Sequence, residues 1–299
     1  MTKARWGATE TELIRQQWSD LGTSQTTALL RGRTPRAVEQ KAQSMGLKCN
    51  FKEKYRRISE TAKNSNVSCD TNYFCREWSK NMAYIIGYIL ADGCITKGMR
   101  SLSFICHQKD EEILLAIKKE LKSNHKIVRH SEKIYEDGRR NGPRTCLSIC
   151  SKKIAESLVT NFGIFPRKTW LDSEMPNVPD QFFGHFLRGY IDGDGHVSIR
   201  EVCGRKYGRT SFVATYKIAT AIRDRVCKML GVSLTKVLQQ GIVWCVEWAR
   251  HQDLVAISNL LYPPGEYIYL GRKRQVFEQI AKLEPIRLQR NRLPAPSLN

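Results

Sequence analysis

Along the first fifty positions, apolar side chains recur at helical rather than strand spacing. Ile14, Trp18 and Leu21 fall at i, i+4 and i+7, intervals that place side chains on one face of a helix. Thr9 and Glu12 stand just before them at capping-box spacing, which predicts a helix start near Glu10, and Gly22 is a natural stop. A second helix is predicted from about Ser24 to Arg31. The third opens on Thr34 as N-cap, with Pro35 at the first helical position, and closes at Gly46. Its buried stripe is Val38, Ala42 and Met45; Arg36, Gln40 and Gln43 line the opposite side. Residues 49–80 are polar, rich in Lys, Arg, Ser and Asn, with no sustained period. They read as a basic linker able to track phosphates, or equally as a solvated tether.

From residue 81 the chain repeats itself. The helical pattern Ala83–Gly93, ending Ala-Asp-Gly, recurs as His185–Gly195, ending Gly-Asp-Gly. Segments with strand character follow each copy. In the first these are Leu102–Cys106, Lys126–Ile134 and Cys146–Cys150, with 136–142 a hairpin loop by composition. In the second they are Val197–Val202, Ser211–Tyr216, Val237–Leu238 and Val243–Trp248. Amphipathic helices are predicted over 109–122 and 151–161, and again over 217–230 and 250–261. The predicted fold is therefore α+β: two pseudo-symmetric αββαββα repeats behind a small three-helix, all-α domain. The boundaries are 1–48 for that domain, 49–80 for the linker, 81–172 for the first repeat, 173–181 for the joint and 182–299 for the second repeat with its tail. One chain carrying two copies implies a monomer with internal two-fold symmetry, which matches the backbone symmetry of duplex DNA.

Composition narrows the partner. The chain has 299 residues, 41% of them hydrophobic, enough for two or three packed units. Lys and Arg number 49 against 29 Asp and Glu, a formal charge of +20 that attracts polyanions. No apolar stretch is long enough to span a bilayer, and Met1–Trp6 lacks the apolar run of a secretory signal. Nucleic acid is the expected partner, in a cytoplasmic setting (bacterial or phage) or an organellar one. The ten cysteines contain no Cys-x-x-Cys, and Cys146 with Cys150 lies beside no clustered His, so a zinc site is not expected. Cys106, Cys150 and Cys245 read as small buried hydrophobes, reduced and structural.

The repeated helix end carries the candidate chemistry. Gly87 and Ala91, like Gly189 and Gly193, lie four apart on one helix face, where small residues let two backbones approach. If those faces meet, Asp92 and Asp194 arrive side by side. Two adjacent carboxylates repel unless a proton or cation lies between them, and hard oxygen ligands open to phosphate and water suit Mg²⁺. Each Asp-Gly is otherwise a simple helix stop. Asp192 is also acidic, but its counterpart in the first copy is Leu90, so the symmetric pair is Asp92 and Asp194.

Ile85–Gly93 and Leu187–Gly195 resemble the LAGLIDADG motifs of homing endonucleases, and the doubled spacing resembles the single-chain, two-motif branch; the likeness spans 81 to about 285. The resemblance implies a β-saddle over the DNA major groove and cleavage of both strands to short 3′ overhangs. It also implies divalent metal (Mg²⁺ or Mn²⁺) at a ligand set of Asp92, Asp194, Ala91 and Gly193. Leu90 and Arg188 depart from the pattern without removing a ligand; Arg188 adds charge to a helix surface. Family members often carry a basic residue near each active site, which points here to Lys168 and Lys273; a basic surface turn touching phosphate is the plainer alternative. The N-terminal stretch resembles Myb/SANT-like helix-turn-helix modules in Trp6, Trp18, Gly32–Val38 and Met45–Leu47.

Side chains alternate along strands, so DNA contacts should fall on one sheet face. The candidates are Arg129, Lys133, Arg144, Arg200, Arg209, Lys236, Gln239 and Arg250, with His196 the one histidine near the chemistry. Three functions stay open: a site-specific, metal-dependent double-strand endonuclease, intron-encoded or free-standing; a maturase binding intron RNA; and a non-cleaving DNA-binding regulator. An intein is not expected, since no Cys or Ser follows Met1 and no His precedes the terminal Asn299.

Overall fold

A computed structural model describes residues 6–30, 32–47, 67–135, 137–166, 168 and 173–284. The chain divides into two compact units, Met1–Val67 and Ser68–Asn299.

In the first unit, α1 (Ala8–Leu29) is two helical segments joined at a kink at Gly22, whose φ of 71° and ψ of 176° are non-helical, so the predicted stop falls where expected. Only glycine takes that φ without strain. The predicted Thr9–Glu12 box is displaced: the helix begins two residues early, and Glu10 Oε2 accepts from the Gly7 backbone N–H at 2.8 Å. Glu12 instead pairs with Arg15 and accepts from Gln16. α2 (Pro35–Ser44) starts as expected, with Thr34 accepting from Ala37 N–H. Ile14, Trp18, Leu30, Val38 and Ala42 form the core, with Trp6, Leu13, Met45 and Leu47 against it. Leu21, expected on that stripe, is only half-buried because the bend lies at the next residue.

The second unit holds the repeat. In its first half, α3 (Lys80–Ala91) leads into β1 (Gly93–Ile95) and β2 (Leu102–His107). Then come α4 (Glu111–Glu120), β3 (Ile127–His130), the small hairpin β4 (Lys133–Ile134) with β5 (Arg140–Asn141), β6 (Arg144–Ile149) and α5 (Lys152–Phe162). The second half runs α6 (Asp180–Asp194), β7 (Gly195–Val202), β8 (Arg205–Ala214), α7 (Tyr216–Leu230), β9 (Val237–Gln240), β10 (Val243–Trp248) and α8 (His251–Leu261), followed by α9 (Gly271–Ala281). The two antiparallel sheets have matching orders, β1-β2-β6-β3 and β7-β8-β10-β9. Register matches as well: Gly93 faces Phe104 as Gly195 faces Phe212, and Cys146 joins Ile105 to Val128 as Cys245 joins Val213 to Leu238. The expected α+β repeat is thus present.

Several expectations need correction. Residues 68–78 are part of the second unit rather than linker: Ser68 and Asp70 backbone N–H groups bond Asn124 and the Leu121 carbonyl. Tyr73 and Phe74 are buried, and Phe74 and Trp78 meet Phe162 edge to face. Residues 49–66 and the tail beyond Glu284 lie outside the described residues. Arg140 and Asn141, assigned to a loop, are strand residues, and Tyr216 opens a helix rather than closing a strand. The basic stretch Gly271–Arg274 is the first turn of α9 rather than a surface turn. Cys106 is buried as expected, whereas Cys150 is exposed and Cys245 half-buried; all the cysteines among the described residues are free.

Candidate active site

The motif helices α3 and α6 meet through their glycines. A Cβ on Gly87 would collide with the Phe186 carbonyl oxygen and stand 2.9 Å from Tyr190 N; one on Gly189 would collide with the Tyr84 carbonyl and stand 3.0 Å from Tyr88 N. Each glycine contacts the residues three before and one after its counterpart. Such reciprocity marks a two-fold axis running between the helices. At the lower end, a Cβ on Gly193 would come 2.5 Å from Ala91 Cβ and 3.5 Å from Asp92 Cγ. The helices therefore end level and touching.

Asp92 caps α3 and Asp194 is the last residue of α6. Among the described residues, neither carboxylate has a side-chain hydrogen bond or an ion-pair partner. Burial raises the pKa of Asp92, opposed by Lys168 and Lys273. Burial pushes Asp194 up to about 6, and repulsion from Asp92 adds to it. Asp92 is exposed and Asp194 half-buried; among the described residues the pair is unpartnered and mutually repelling, and a cation would relieve both conditions.

Both expected lysines reach the motif ends. Lys168 Nζ donates to the Gly93 carbonyl, and Lys273 Nζ donates to the carbonyls of Ile191, Asp192 and Gly195. The C-terminal end of a helix carries partial negative charge on its free carbonyls, which favours an ammonium there. Burial lowers the pKa of both lysines, Lys273 to about 8, while nearby aspartates oppose the shift. Lys273 is 3% exposed, which excludes the surface-turn alternative for it.

Two residues have roles that sequence reasoning missed. Asp192 is buried: its Oδ2 accepts from Tyr84 Oη at 2.8 Å and from Leu270 N–H at 2.9 Å, while Oδ1 has no partner. It thereby fastens the start of α9, and with it Lys273, to α6. Arg188, expected on a helix surface, is 0% exposed. It donates to the carbonyls of Ile268 and Leu261 and to His185 Nδ1, and lies over the rings of Tyr267 and Tyr84. Burial, then Arg188, pushes His185 down to about 4, which keeps its ring neutral and accepting. Across the halves, Arg272 forms a two-pronged ion pair with Asp110 at 2.6 and 2.7 Å.

The candidate DNA-contacting residues divide by sheet face. Arg144, Arg200 and Arg209 share the face turned away from the helices, as does His196, which is exposed beside Ser211. Arg209 also pairs with Glu247 at 3.3 Å. Arg129 and Gln239 lie on the other face: Arg129 faces Thr145 and is held by both oxygens of Glu111, and Gln239 faces Trp244. Strand alternation gives their places on the open face to Val128, His130, Leu238 and Gln240. Lys133 sits on the hairpin over the Tyr135 ring. Lys236 is exposed just before β9, and Arg250 caps α8 and donates to Ser233 and Gln252. In the first unit, Arg36, Gln40 and Gln43 are exposed along one side of α2.

A duplicated helix-and-sheet unit, closed on glycine-packed helices that each deliver one aspartate, defines a recognisable class of domain. Residues 79–164 match the sequence model of the LAGLIDADG-like domain, and the second half repeats the strand register of the first. No curated protein matches the chain. Among solved structures, the chain is similar to the LAGLIDADG meganuclease I-CpaMI bound to uncleaved DNA (13% identity, 68% of this chain and 90% of that one, TM-score 0.46). It is also similar to the LAGLIDADG meganuclease I-AabMI bound to uncleaved DNA (16%, 66% and 87%, 0.40). The N-terminal LAGLIDADG domain of WhiA matches as well (11%, 68% and 87%, 0.41). No helix of the described residues is long and apolar enough to cross a membrane.

Proposed function

We propose that this chain is a site-specific endonuclease that hydrolyses both strands of duplex DNA with Mg²⁺ or Mn²⁺. The observation that carries the reading is the Asp92–Asp194 pair: two carboxylates, one exposed and one half-buried and both unpartnered among the described residues, brought together by reciprocal glycine contacts. The same fold without this pair in working order would serve a DNA-binding regulator or an RNA-binding maturase.

The donor set fits a hard divalent cation. Asp92 and Asp194 form a two-carboxylate site of hard oxygen donors. Mg²⁺ binds through one or two carboxylates and keeps several waters, and Asp92 and Asp194 would hold it, helped by the carbonyls of Ala91 and Gly193. When bound, the metal would make a water more acidic and stabilise the oxygens of an in-line phosphodiester displacement. The chain's own groups supply the rest. Lys168 and Lys273 place positive charge beside the pair, where negative charge grows on the phosphate. The desolvated floor formed by α3 and α6 strengthens each of these interactions.

The open sheet faces, with Arg144, Arg200 and Arg209, would lie along the major groove, where Arg forms bidentate bonds to guanine. The first unit would act as a helix-turn-helix module, α2 presenting Arg36, Gln40 and Gln43 to a groove. Duplex DNA is thus the partner, and the chain acts as a monomer, its two halves addressing the two strands. The test is selection of bound duplexes from a randomised library, then incubation of the winners with Mg²⁺. Double-strand cuts by the natural chain, absent with Asp194→Asn, are expected; binding without metal-dependent cutting would favour the regulator.

A further inference from the structure

The two open sheet faces can be compared row by row, because strand register makes their positions equivalent. Nearest the motif ends, the row Cys94, Ser103, Ser148 corresponds to His196, Ser211, Glu247. Both are polar; Ser103 and Ser148 bond each other at 2.9 Å. The next row is different. Ile105, Cys146 and Val128 cross the first sheet, and Val213, Cys245 and Leu238 cross the second at the same register. Every side chain in both rows is apolar or a thiol, yet Ile105, Val128 and Leu238 are 52%, 48% and 57% exposed. Beyond the first row stand His107, Arg144 and His130; the second sheet carries Arg209 and Arg200 on the same face, on the far side of its His196–Ser211–Glu247 row.

Apolar stripes duplicated about the Asp92–Asp194 axis, on sheet faces that also carry Arg144, Arg200 and Arg209, suit a polyanion that carries apolar spots at symmetric positions. In duplex DNA, the apolar group at the major-groove edge is the C5 methyl of a pyrimidine, which is thymine in unmodified DNA. We infer that the Ile105–Cys146–Val128 and Val213–Cys245–Leu238 rows each receive thymine methyls, so that the target carries thymine at two positions equally distant from the cleavage centre. This inference rests on the endonuclease reading and specifies its substrate. It assigns base preference to apolar side chains and thiols, on faces whose arginines would hold the phosphates.

Deoxyuridine scanning tests it, because uracil lacks only the methyl. In a selected target, one or more thymines in each half should lose about fourfold in affinity on replacement, the effect of one buried methylene-sized group. Val128→Asn should abolish that sensitivity in one half and Leu238→Asn in the other; both sites are exposed, and a thermal melt confirms that each variant folds. Duplex should also shield Cys146 and Cys245 from maleimide while leaving Cys75 reactive, since Cys75 is exposed on a short 3-10 helix that belongs to neither sheet. Tight binding with no uracil-sensitive position, or sensitivity that survives both variants, overturns the inference and leaves the endonuclease reading intact. Dimerisation through these rows that duplex does not dissolve also overturns it. Failure to bind duplex at all overturns both.

Discussion

In the first half of the site, Lys168 is part-buried and donates to one carbonyl, that of Gly93; in the second, Lys273 is buried and donates to three. The carboxylates are symmetric, but the supports around them are not. Asp192 bonds Tyr84 and Leu270, which holds the start of α9 in place, whereas the equivalent residue in the first half is the apolar Leu90. Arg188 occupies the same side, filling the space against Leu261, Ile268 and Tyr267. Symmetry is therefore kept at the Asp92–Asp194 pair, where the proposed cleavage of two strands needs it. It is relaxed in the surrounding shell, where one half is pinned by a buried polar network and the other by apolar packing.

The comparison can be broken first at its symmetric part. Asp92→Asn and Asp194→Asn should each lower cleavage by at least about a thousandfold, since groups acting as one unit fail together. Affinity for the target should stay within a few-fold. Unequal losses between the two variants would show that the halves do not share the chemistry.

The lysines probe the asymmetric part. Lys168→Met should slow cleavage by about a hundredfold, the lower end for a positioned catalytic group, with little change in unfolding midpoint. Lys273→Met should slow it comparably and also destabilise the second unit by roughly 1–3 kcal/mol, because buried carbonyls lose their donor. Denaturant unfolding separates the two; equal stability losses would contradict the unequal seats. At the helix contact, Gly189→Ala and Gly87→Ala should each cost about 1–3 kcal/mol or more by overpacking, and by similar amounts, as the reciprocal geometry requires.

How far the sequence reached depended on whether a residue's environment came from its own element or from a distant one. The glycine faces and the Asp pair were legible because the motif occurs twice, and a chance helix stop does not repeat with its small residues in step. The order of helices and strands along the chain followed from the same repetition. Arg188 was not legible, since a lone arginine on a helix reads as surface; its acceptors come from Leu261 and Ile268, far along the chain. Arg129 and Gln239 were placed on the DNA face by residue type, whereas strand alternation gives that face to their neighbours Val128 and Leu238. Tyr73 and Phe74 were hidden in a polar stretch, because their partners are distant in sequence: Tyr73 donates to Glu120, and Phe74 meets Phe162 of α5. The cap at Gly7 escaped notice because glycine has no side chain and the bond is made by Glu10 alone.

The smallest expected effect lies in the first unit. The Arg33 hydrogen bonds, then the Gly7 N–H, hold Glu10 down to about 2, below its ordinary 4.5. A depressed carboxyl stabilises the fold fully above its unfolded pKa, and that contribution is lost as pH falls through the folded one. The first unit should therefore weaken between about pH 4.5 and 2, and Glu10→Gln should weaken less over that window. Amide exchange at Ile14 and Trp18, corrected for intrinsic rates, reads this directly; an equal pH response in both proteins would contradict it.

The most direct test of the shared site follows both strands of a selected duplex, each carrying its own 5′ label, through a single turnover in Mg²⁺. The account predicts that the natural chain cuts both strands and that Asp92→Asn and Asp194→Asn cut neither while still binding. Cleavage by either variant at the natural rate would contradict it, as would a natural chain that binds its target and leaves both strands whole.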